Sequence, residues 1–207
     1  MAIETRKTAL IKRVMDIVLS VIILFILFPI LLIVGFLLLI VEGPPVFFSH
    51  ERPGKDGEPF KLIKFRSMKN AKDKSGNLLP DGQRITGLGQ FLRRTSMDEL
   101  PELVNVIKGD MSLVGPRPLL MQYLNRYSPE QFRRHEMLPG ITGWAQINGR
   151  NAISWDEKFK LDLWYIDHWS LWLDIKILFL TVWKVITGVG ISQPGRATMD
   201  EFMGDEK

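Results

Sequence analysis

The densest chemistry in the sequence lies in Arg93-Arg94-Thr95-Ser96-Met97-Asp98-Glu99-Leu100-Pro101, where two arginines stand a few residues before two adjacent carboxylates. An ionised carboxylate can attack phosphorus and form an acyl-phosphate-type intermediate. The segment reads as the start of a helix running from near Asp98 to Ile107. A helix N-terminus and neighbouring guanidinium groups both favour the charged form of such a carboxylate. A second carboxylate beside it can hold Mg2+, a hard ion that commonly takes only one or two oxygens from protein. The ion would neutralise a diphosphate and stabilise a leaving nucleotide. Asp98 is therefore the candidate nucleophile, and Glu99 with Asp98 the candidate metal ligands. The same letters carry a plainer meaning. Ser96-x-x-Glu99 matches a capping box, in which the serine caps a helix and the glutamate reaches back. Capping boxes are common, so the dyad by itself does not decide between the two. Basic residues, a rigid Pro-Arg-Pro and an apolar anchor in one short chain weigh towards chemistry.

Several cations are candidates for phosphate binding. Arg117 sits between Pro116 and Pro118, so its backbone has little freedom left to lose, and a guanidinium grips phosphate oxygens as a bidentate fork. A structural ion pair is the alternative for it. Arg93 stands a few residues before the dyad. Lys64 and Arg66 occupy alternate positions of a predicted strand and so share one face, turned either to phosphates or to water. Arg150, in the turn Gly149-Arg150, is a further candidate. The three histidines, His50, His135 and His168, have no metal-pair spacing and read as solvated or locally bonded side chains. Asp162 and Asp167 read as salt-bridge partners, with Asp162 also able to supply a ligand.

These residues need elements to hold them. The length of 207 residues suits one catalytic domain with an anchor. The net charge of +4 suits an anionic partner, whether lipid surface, nucleotide or phospholipid. With no cysteine there is no disulfide framework and no thiolate nucleophile. Ile17 to Val41 is free of charge and, at roughly 25 residues, long enough to span a bilayer. Pro29 divides it into arms of about 12 residues, each about 18 Å as a helix and short of a roughly 30 Å hydrocarbon core. Proline removes a backbone donor and predicts a kink. A gentle kink gives a transmembrane helix, and a sharp one a re-entrant hairpin with both ends on one face. Arg6, Lys7, Lys12 and Arg13 precede the run and Arg52, Lys55, Lys61, Lys64 and Arg66 follow it, so flanking charge does not polarise the segment.

Beyond Gly43-Pro44-Pro45, Val46 to Ser49 and Phe60 to Met68 predict a β-hairpin around the turn-rich stretch Arg52 to Gly57. Asn70 to Gln83 reads as a mobile surface loop. Gly115-Pro116-Arg117-Pro118 is a stiff stop. Glu130 to Met137 predicts a short polar helix, and Trp155 to Tyr165 and Leu171 to Ile186 predict longer ones. All six tryptophans fall between Trp144 and Trp183. Tryptophan favours the headgroup level, so these helices are read as lying in a membrane interface, with a Trp-rich core as the alternative.

The segments Arg52-Pro53-Gly54, Lys64-Phe65-Arg66-Ser67-Met68, Ser96-Met97-Asp98-Glu99-Leu100-Pro101, Lys108-Gly109-Asp110-Met111-Ser112, Gly115-Pro116-Arg117-Pro118, Pro139-Gly140-Ile141-Thr142-Gly143 and Gln146-Ile147-Asn148-Gly149-Arg150 resemble, in order, the bacterial sugar transferase family. Its monotopic phosphoglycosyl transferases initiate polysaccharide or glycoprotein assembly. The likeness covers nearly the whole chain and is to the minimal members. It implies a mainly α, α+β fold: a re-entrant helix-break-helix over 1–42 and a cytoplasmic catalytic domain over 43–207 with a β-hairpin and amphipathic interfacial helices. It implies a ping-pong reaction in which Asp98 attacks the β-phosphate of a UDP-sugar, UMP leaves, and undecaprenyl phosphate takes the phosphosugar. Glu99 matches the partner associated with Mg2+, and Arg93 and Arg117 match positions near the phosphates. The implied partners are the UDP-sugar, undecaprenyl phosphate, membrane lipids and downstream glycosyltransferases, with no nucleic acid. A homo-oligomer is compatible with the sequence. The implied location is the bacterial inner membrane, with the catalytic domain on its cytoplasmic face. One departure is Phe28-Pro29, where family members often have Ser-Pro, so Pro29 and packing alone would make the break.

Two competing readings stay open at this stage. A basic, membrane-anchored scaffold would use the dyad as a helix cap. A ternary-complex enzyme would let the lipid phosphate attack directly, with no covalent intermediate.

Overall fold

A computed structural model describes residues 2–149, 153–187 and 201–204. Arg150 and the start of the C-terminal tail at Ile191 lie outside them. Helix α1 (Ala2–Glu42) takes up the charge-free run and contains Pro29. It is one continuous helix, and no separated helix-break-helix pair is resolved. A proline costs one backbone bond but does not have to end a helix. Most of its Leu, Ile, Val and Phe side chains are exposed, as on a helix whose surroundings are apolar.

The side of α1 that meets the rest of the protein does so differently at its two ends. Near the N-terminus the contact is polar. Lys12 Nζ pairs with Asp174 Oδ2 at 2.6 Å and donates to the Val114 carbonyl at 3.1 Å. Tyr165 Oη donates to Asp174 Oδ1 at 2.6 Å, and Trp169 Nε1 to its Oδ2 at 3.1 Å. Arg13 donates to the carbonyls of Val106 and Ile107, and Ser112 Oγ to Asp16 Oδ2 at 2.7 Å. Nearer the C-terminus the contact is apolar: Val34 and Leu38 pack with Phe65 and Leu92.

Strands β1 (Phe47–Pro53) and β2 (Pro59–Phe65) form the expected antiparallel hairpin, joined through a 3-10 turn at Lys55–Gly57. A one-turn helix α2 (Asp81–Arg84) follows the largely exposed stretch 70–80. Helices α3 (Gly87–Thr95) and α4 (Glu102–Lys108) flank a 3-10 turn at Met97–Glu99. The helix predicted from near Asp98 therefore begins four residues later, and Asp98 sits in a tight turn. Strand β3 (Ser112–Val114) pairs in parallel with β4 (Gly140–Thr142), an element the sequence did not predict. The glycines explain how two such short strands approach. A Cβ on Gly140 would fall 2.1 Å from Gly115 N, and one on Gly143 would fall 2.2 Å from Gly115 O.

Between β3 and β4 lie a 3-10 turn at Met121–Arg126, α5 (Pro129–Phe132) and a further 3-10 turn at Arg133–His135, so the helix predicted for 130–137 is a tighter, mixed one. Helices α6 (Trp144–Asn148), α7 (Trp155–Asp167) and α8 (Leu171–Thr187) complete the described chain up to residue 187. The main core brings Leu103 and Val106 of α4 against Met111, Leu113 and Val114, Tyr165 of α7, and Leu173 and Ile177 of α8. Truncating one such residue, Ile177→Ala for instance, would cost about 2–5 kcal/mol. The outer side of α8 is apolar and exposed at Trp172, Ile175, Phe179, Val182, Trp183 and Ile186, a helical stripe. The tryptophans thus divide: Trp164, Trp172 and Trp183 are exposed, and Trp144, Trp155 and Trp169 are partly buried.

Candidate active site

Three elements deliver the candidate residues. Helix α3 lies so close to the chain beyond β2 that a Cβ on Gly89 would fall 2.0 Å from Ser67 O. One turn further on, that approach lets Arg93 Nε reach Ser67 Oγ at 2.9 Å and its Nη2 reach Met68 Sδ at 2.8 Å. Ser96 then adopts a left-handed backbone (φ 56°), which reverses the chain and turns the dyad inward. Ser96 makes no capping bond here. The chain does build capping boxes elsewhere, at Ser128/Gln131 and Ser154/Glu157. Glu99 instead turns to Lys64 and Arg117, so the helix-cap reading of the motif does not describe this turn.

Lys64, near the end of β2, places Nζ 3.0 Å from Glu99 Oε1 and 2.9 Å from Glu102 Oε1. Arg117, on the stiff loop after β3, holds Glu99 with both terminal nitrogens, Nη1 reaching Oε2 at 3.3 Å and Nη2 closing on Oε1. Asp98 has a different environment. It is 7% exposed, and its carboxylate makes no hydrogen bond or ion pair among the described residues. It lies in the field of Lys64, Arg93 and Arg117.

The three carboxyls consequently titrate apart. Burial works against ionising Glu99, but Arg117 and Lys64 outweigh it and hold its pKa well below the usual range. Burial, then the charge of Glu99, raise the pKa of Asp98, and the three cations pull back only part of that. The charged form of Asp98 is thus less favoured than in a free aspartate, and less than the helix N-terminus and arginines alone would make it, because burial and Glu99 oppose the cations. Glu102 is raised to about 7 by burial, against the pull of Lys64. Arg117 is held charged by Glu99.

Asp98, Glu99, Arg93, Arg117 and Lys64 therefore come together. Arg66 departs from its strand neighbour: its guanidinium caps the carbonyls of Glu42, Gly43 and Pro44 at the end of α1. Pro29 lies inside α1, and Arg150 falls outside the described residues. Glu102 was missed, although Asp98-Glu99-x-x-Glu102 puts three acids within one short segment. Arg52, read from the sequence as a flanking charge and as part of a motif, was not among the candidate site residues. It lies close enough to Arg117 and Glu102 to feel both charges, and its buried Nε has no partner among the described residues. Behind Arg117, Arg134 donates to its carbonyl at 2.8 Å and forms a buried pair with Asp162 at 2.7 Å, so Asp162 is the salt-bridge partner anticipated for it. Asp167 likewise pairs with Arg133. His135 is buried, bonded through Nδ1 to Gly54 O, and its pKa is lowered to about 4 by burial and then Arg134. His168 stacks on Trp164.

Among the described residues no group of three or more His, Cys, Asp or Glu is arranged around an ion. The donors present are hard carboxylate oxygens, which suit Mg2+ when phosphate oxygens complete its shell. Asp98 is unpaired, whereas Glu99 would need to give up a cation to ligate.

The family model described as bacterial sugar transferase matches residues 7–188. The chain is 60% identical over 162 residues to an uncharacterized sugar transferase, EpsL, of Bacillus subtilis (strain 168), covering 78% of this chain and 80% of that protein. It is 43% identical over 185 residues to a UDP-glucose:undecaprenyl-phosphate glucose-1-phosphate transferase of Escherichia coli (strain K12), covering 84% of this chain and 40% of the relative. It is 41% identical over 192 residues to a UDP-galactose-lipid carrier transferase of Erwinia amylovora, again covering 84% and 40%. The chain thus spans about two fifths of the length of these two larger relatives.

Proposed function

Because the chain belongs to the bacterial sugar transferase family, we propose that it moves a phosphosugar from a UDP-sugar to undecaprenyl phosphate by a ping-pong reaction through Asp98. The observation that carries this reading is the contrast within the dyad. Glu99 takes the direct ion pairs, while Asp98 is left buried, without a partner among the described residues, beside three cations. An anionic diphosphate would be drawn to those cations and brought against that free carboxylate. The names of the relatives support the donor and acceptor classes, and they differ in the sugar.

In the first half-reaction an Asp98 carboxylate oxygen attacks the β-phosphorus. The bond from that phosphorus to the bridging oxygen breaks, and UMP leaves with the electron pair. In the second, an oxygen of the lipid phosphate attacks the same phosphorus, the Asp98–phosphorus bond breaks, and the carboxylate is restored. The product is a polyprenyl diphosphosugar, the first membrane intermediate of polysaccharide or glycoprotein assembly. Arg117, Arg93 and Lys64 bind phosphate oxygens, with Arg150 as a further contact. Glu99 and Asp98 are the residues that would hold Mg2+, and Glu99 would do so only if the diphosphate competed for Arg117. When bound, the ion neutralises diphosphate charge and eases nucleotide departure.

The anchor is proposed to be re-entrant over 1–42, with the catalytic domain from 43 onward on the cytoplasmic face of the inner membrane. A straight helix would separate Arg13 from Glu42 by about 44 Å. Yet Arg13 holds the end of α4, Lys64 holds Glu102 at the start of α4, and Arg66, two residues after Lys64, holds Glu42. Both ends of the anchor are tied to one small unit, which favours a bent anchor with both ends on one side. The exposed stripe on α8 supports a domain resting at the headgroups.

Asp98→Asn tests the reading, since it keeps size and removes the nucleophile. UMP release from a panel of UDP-sugars with undecaprenyl phosphate is expected to vanish while the protein still folds. Normal turnover by the folded variant would refute the proposal.

A further inference from the structure

The chain returns to the catalytic domain near its C-terminus in a way that the proposed reaction does not use. Phe202 is 3% exposed, whereas its neighbour Met203 is 74% exposed, so one side chain is inserted and the next points out. The socket is aromatic. The Phe202 ring lies 5.7 Å from Tyr123 and 5.0 Å from Phe159, edge-on to both, 5.7 Å from Tyr127 in a stacked arrangement, and 5.6 Å from Trp155. Such offset and edge-on pairs fix ring orientation beyond what area burial alone does. The backbone is fastened too. Phe202 N–H donates to Tyr123 Oη at 3.3 Å, and Arg126 donates to the Phe202 carbonyl and pairs with Glu201 at 2.8 Å.

Two of these rings also carry a cation. The Arg134 guanidinium lies over Tyr127 at 5.8 Å and over Phe159 at 5.7 Å. It also donates to the Arg117 carbonyl and pairs with buried Asp162. The contacts run without a gap from Phe202 through Tyr127 and Phe159 to Arg134, then to the backbone of Arg117, whose side chain grips Glu99 beside Asp98. Without Phe202 the socket has a ring-sized void, Tyr127 and Phe159 can change rotamer, and Arg134 loses the platform that aims it.

We propose that Phe202 is a positioning residue: the C-terminal segment plugs the aromatic socket and, through Arg134, fixes Arg117 for the diphosphate. This rests on the phosphate-binding role of Arg117 proposed above. The test uses the full-length protein in detergent or nanodiscs, with UDP as the probe. Phe202→Ala is expected to weaken UDP binding by about three- to tenfold. Phe202→Leu, which keeps apolar bulk and is the safer variant to fold, should move affinity in the same direction by less. Leu38→Ala, a cavity in the separate cluster between α1 and α3, serves as the control: it should lower the melting temperature and leave UDP affinity unchanged. Combining Phe202→Ala with Arg134→Lys should weaken binding by less than the product of the two single effects. If Phe202→Ala and Phe202→Leu bind UDP like the wild type while only their melting temperatures fall, Phe202 is merely structural and the inference is wrong. If the wild type itself neither binds UDP nor releases UMP, the transferase reading fails and this inference falls with it.

Discussion

Two clusters of buried charge in this protein obey different rules. Around Asp174, the carboxylate pairs with Lys12; Tyr165, Trp169 and the Val114 carbonyl take up the remaining hydrogen bonds, and the neighbouring buried Asp16 is satisfied by Ser112 Oγ and the Leu113 amide. The arrangement is closed. Around Asp98, three carboxylates share Lys64, Arg117 and the field of Arg93, with Lys64 divided between Glu99 and Glu102 and Asp98 left over. A closed cluster specifies how the anchor docks. An open one holds capacity that only an incoming group can fill, which is what a binding and reacting site needs.

That contrast can be broken from either side. The largest expected effect is on the closed cluster. Lys12→Met strands the Asp174 charge and should cost about 3–5 kcal/mol of stability, read by denaturant unfolding in micelles. Turnover per folded molecule should stay near that of the wild type. Adding Asp174→Leu should recover part of the loss, because the stranded charge is removed while Trp169 Nε1 loses its acceptor. Next comes Arg117→Ala in the open cluster, expected to lower UMP release by about 10²–10³-fold, as for a lost oxyanion-type donor. Its melting temperature should barely move, since the Glu99 left behind keeps Lys64. Equal loss of stability in both variants would erase the distinction.

The smallest effect sharpens the comparison through pH. The pKa of Glu102 in the folded protein is about 7, above its ordinary 4.5. Between those values the folded chain keeps a proton that the unfolded chain has lost, so stability falls as pH rises through that window. Glu102→Gln cannot titrate. Its melting temperature relative to wild type should climb by several degrees from pH 4.5 to about 7, then level off. A pH-independent difference would mean that Glu102 is ionised throughout.

Much of this was legible in the residues, and the gaps have physical causes. The anchor, the hairpin and helices α7 and α8 announce themselves through long apolar runs and periodicity. Asp98, Glu99, Arg93, Arg117 and Lys64 could be nominated from the sequence because their types are chemically narrow, and the fold brings them together. Helix α3 was not anticipated: Gly87 and Gly89 weaken its helical signal, although Gly89 is required by the close approach to Ser67. The β3–β4 pair was missed because a parallel contact of three-residue strands has almost no local pattern; the only trace was Gly115 with Gly140 and Gly143. The upward shift of Asp98 could not be read either. It depends on burial and on the charge of Glu99, which Arg117, distant in sequence, holds ionised. Similarly, nothing near Phe202 in the sequence says that Tyr127 and Phe159 await it.

The central claim is that Asp98 carries the phosphosugar. Intact-mass and peptide-level mass spectrometry of the protein after exposure to a UDP-sugar it turns over, without lipid, would test it most directly. A phosphosugar adduct on Asp98, released when undecaprenyl phosphate is added and absent from Asp98→Asn, is the predicted result. Normal turnover with lipid but no adduct, or an adduct on another residue, would contradict it.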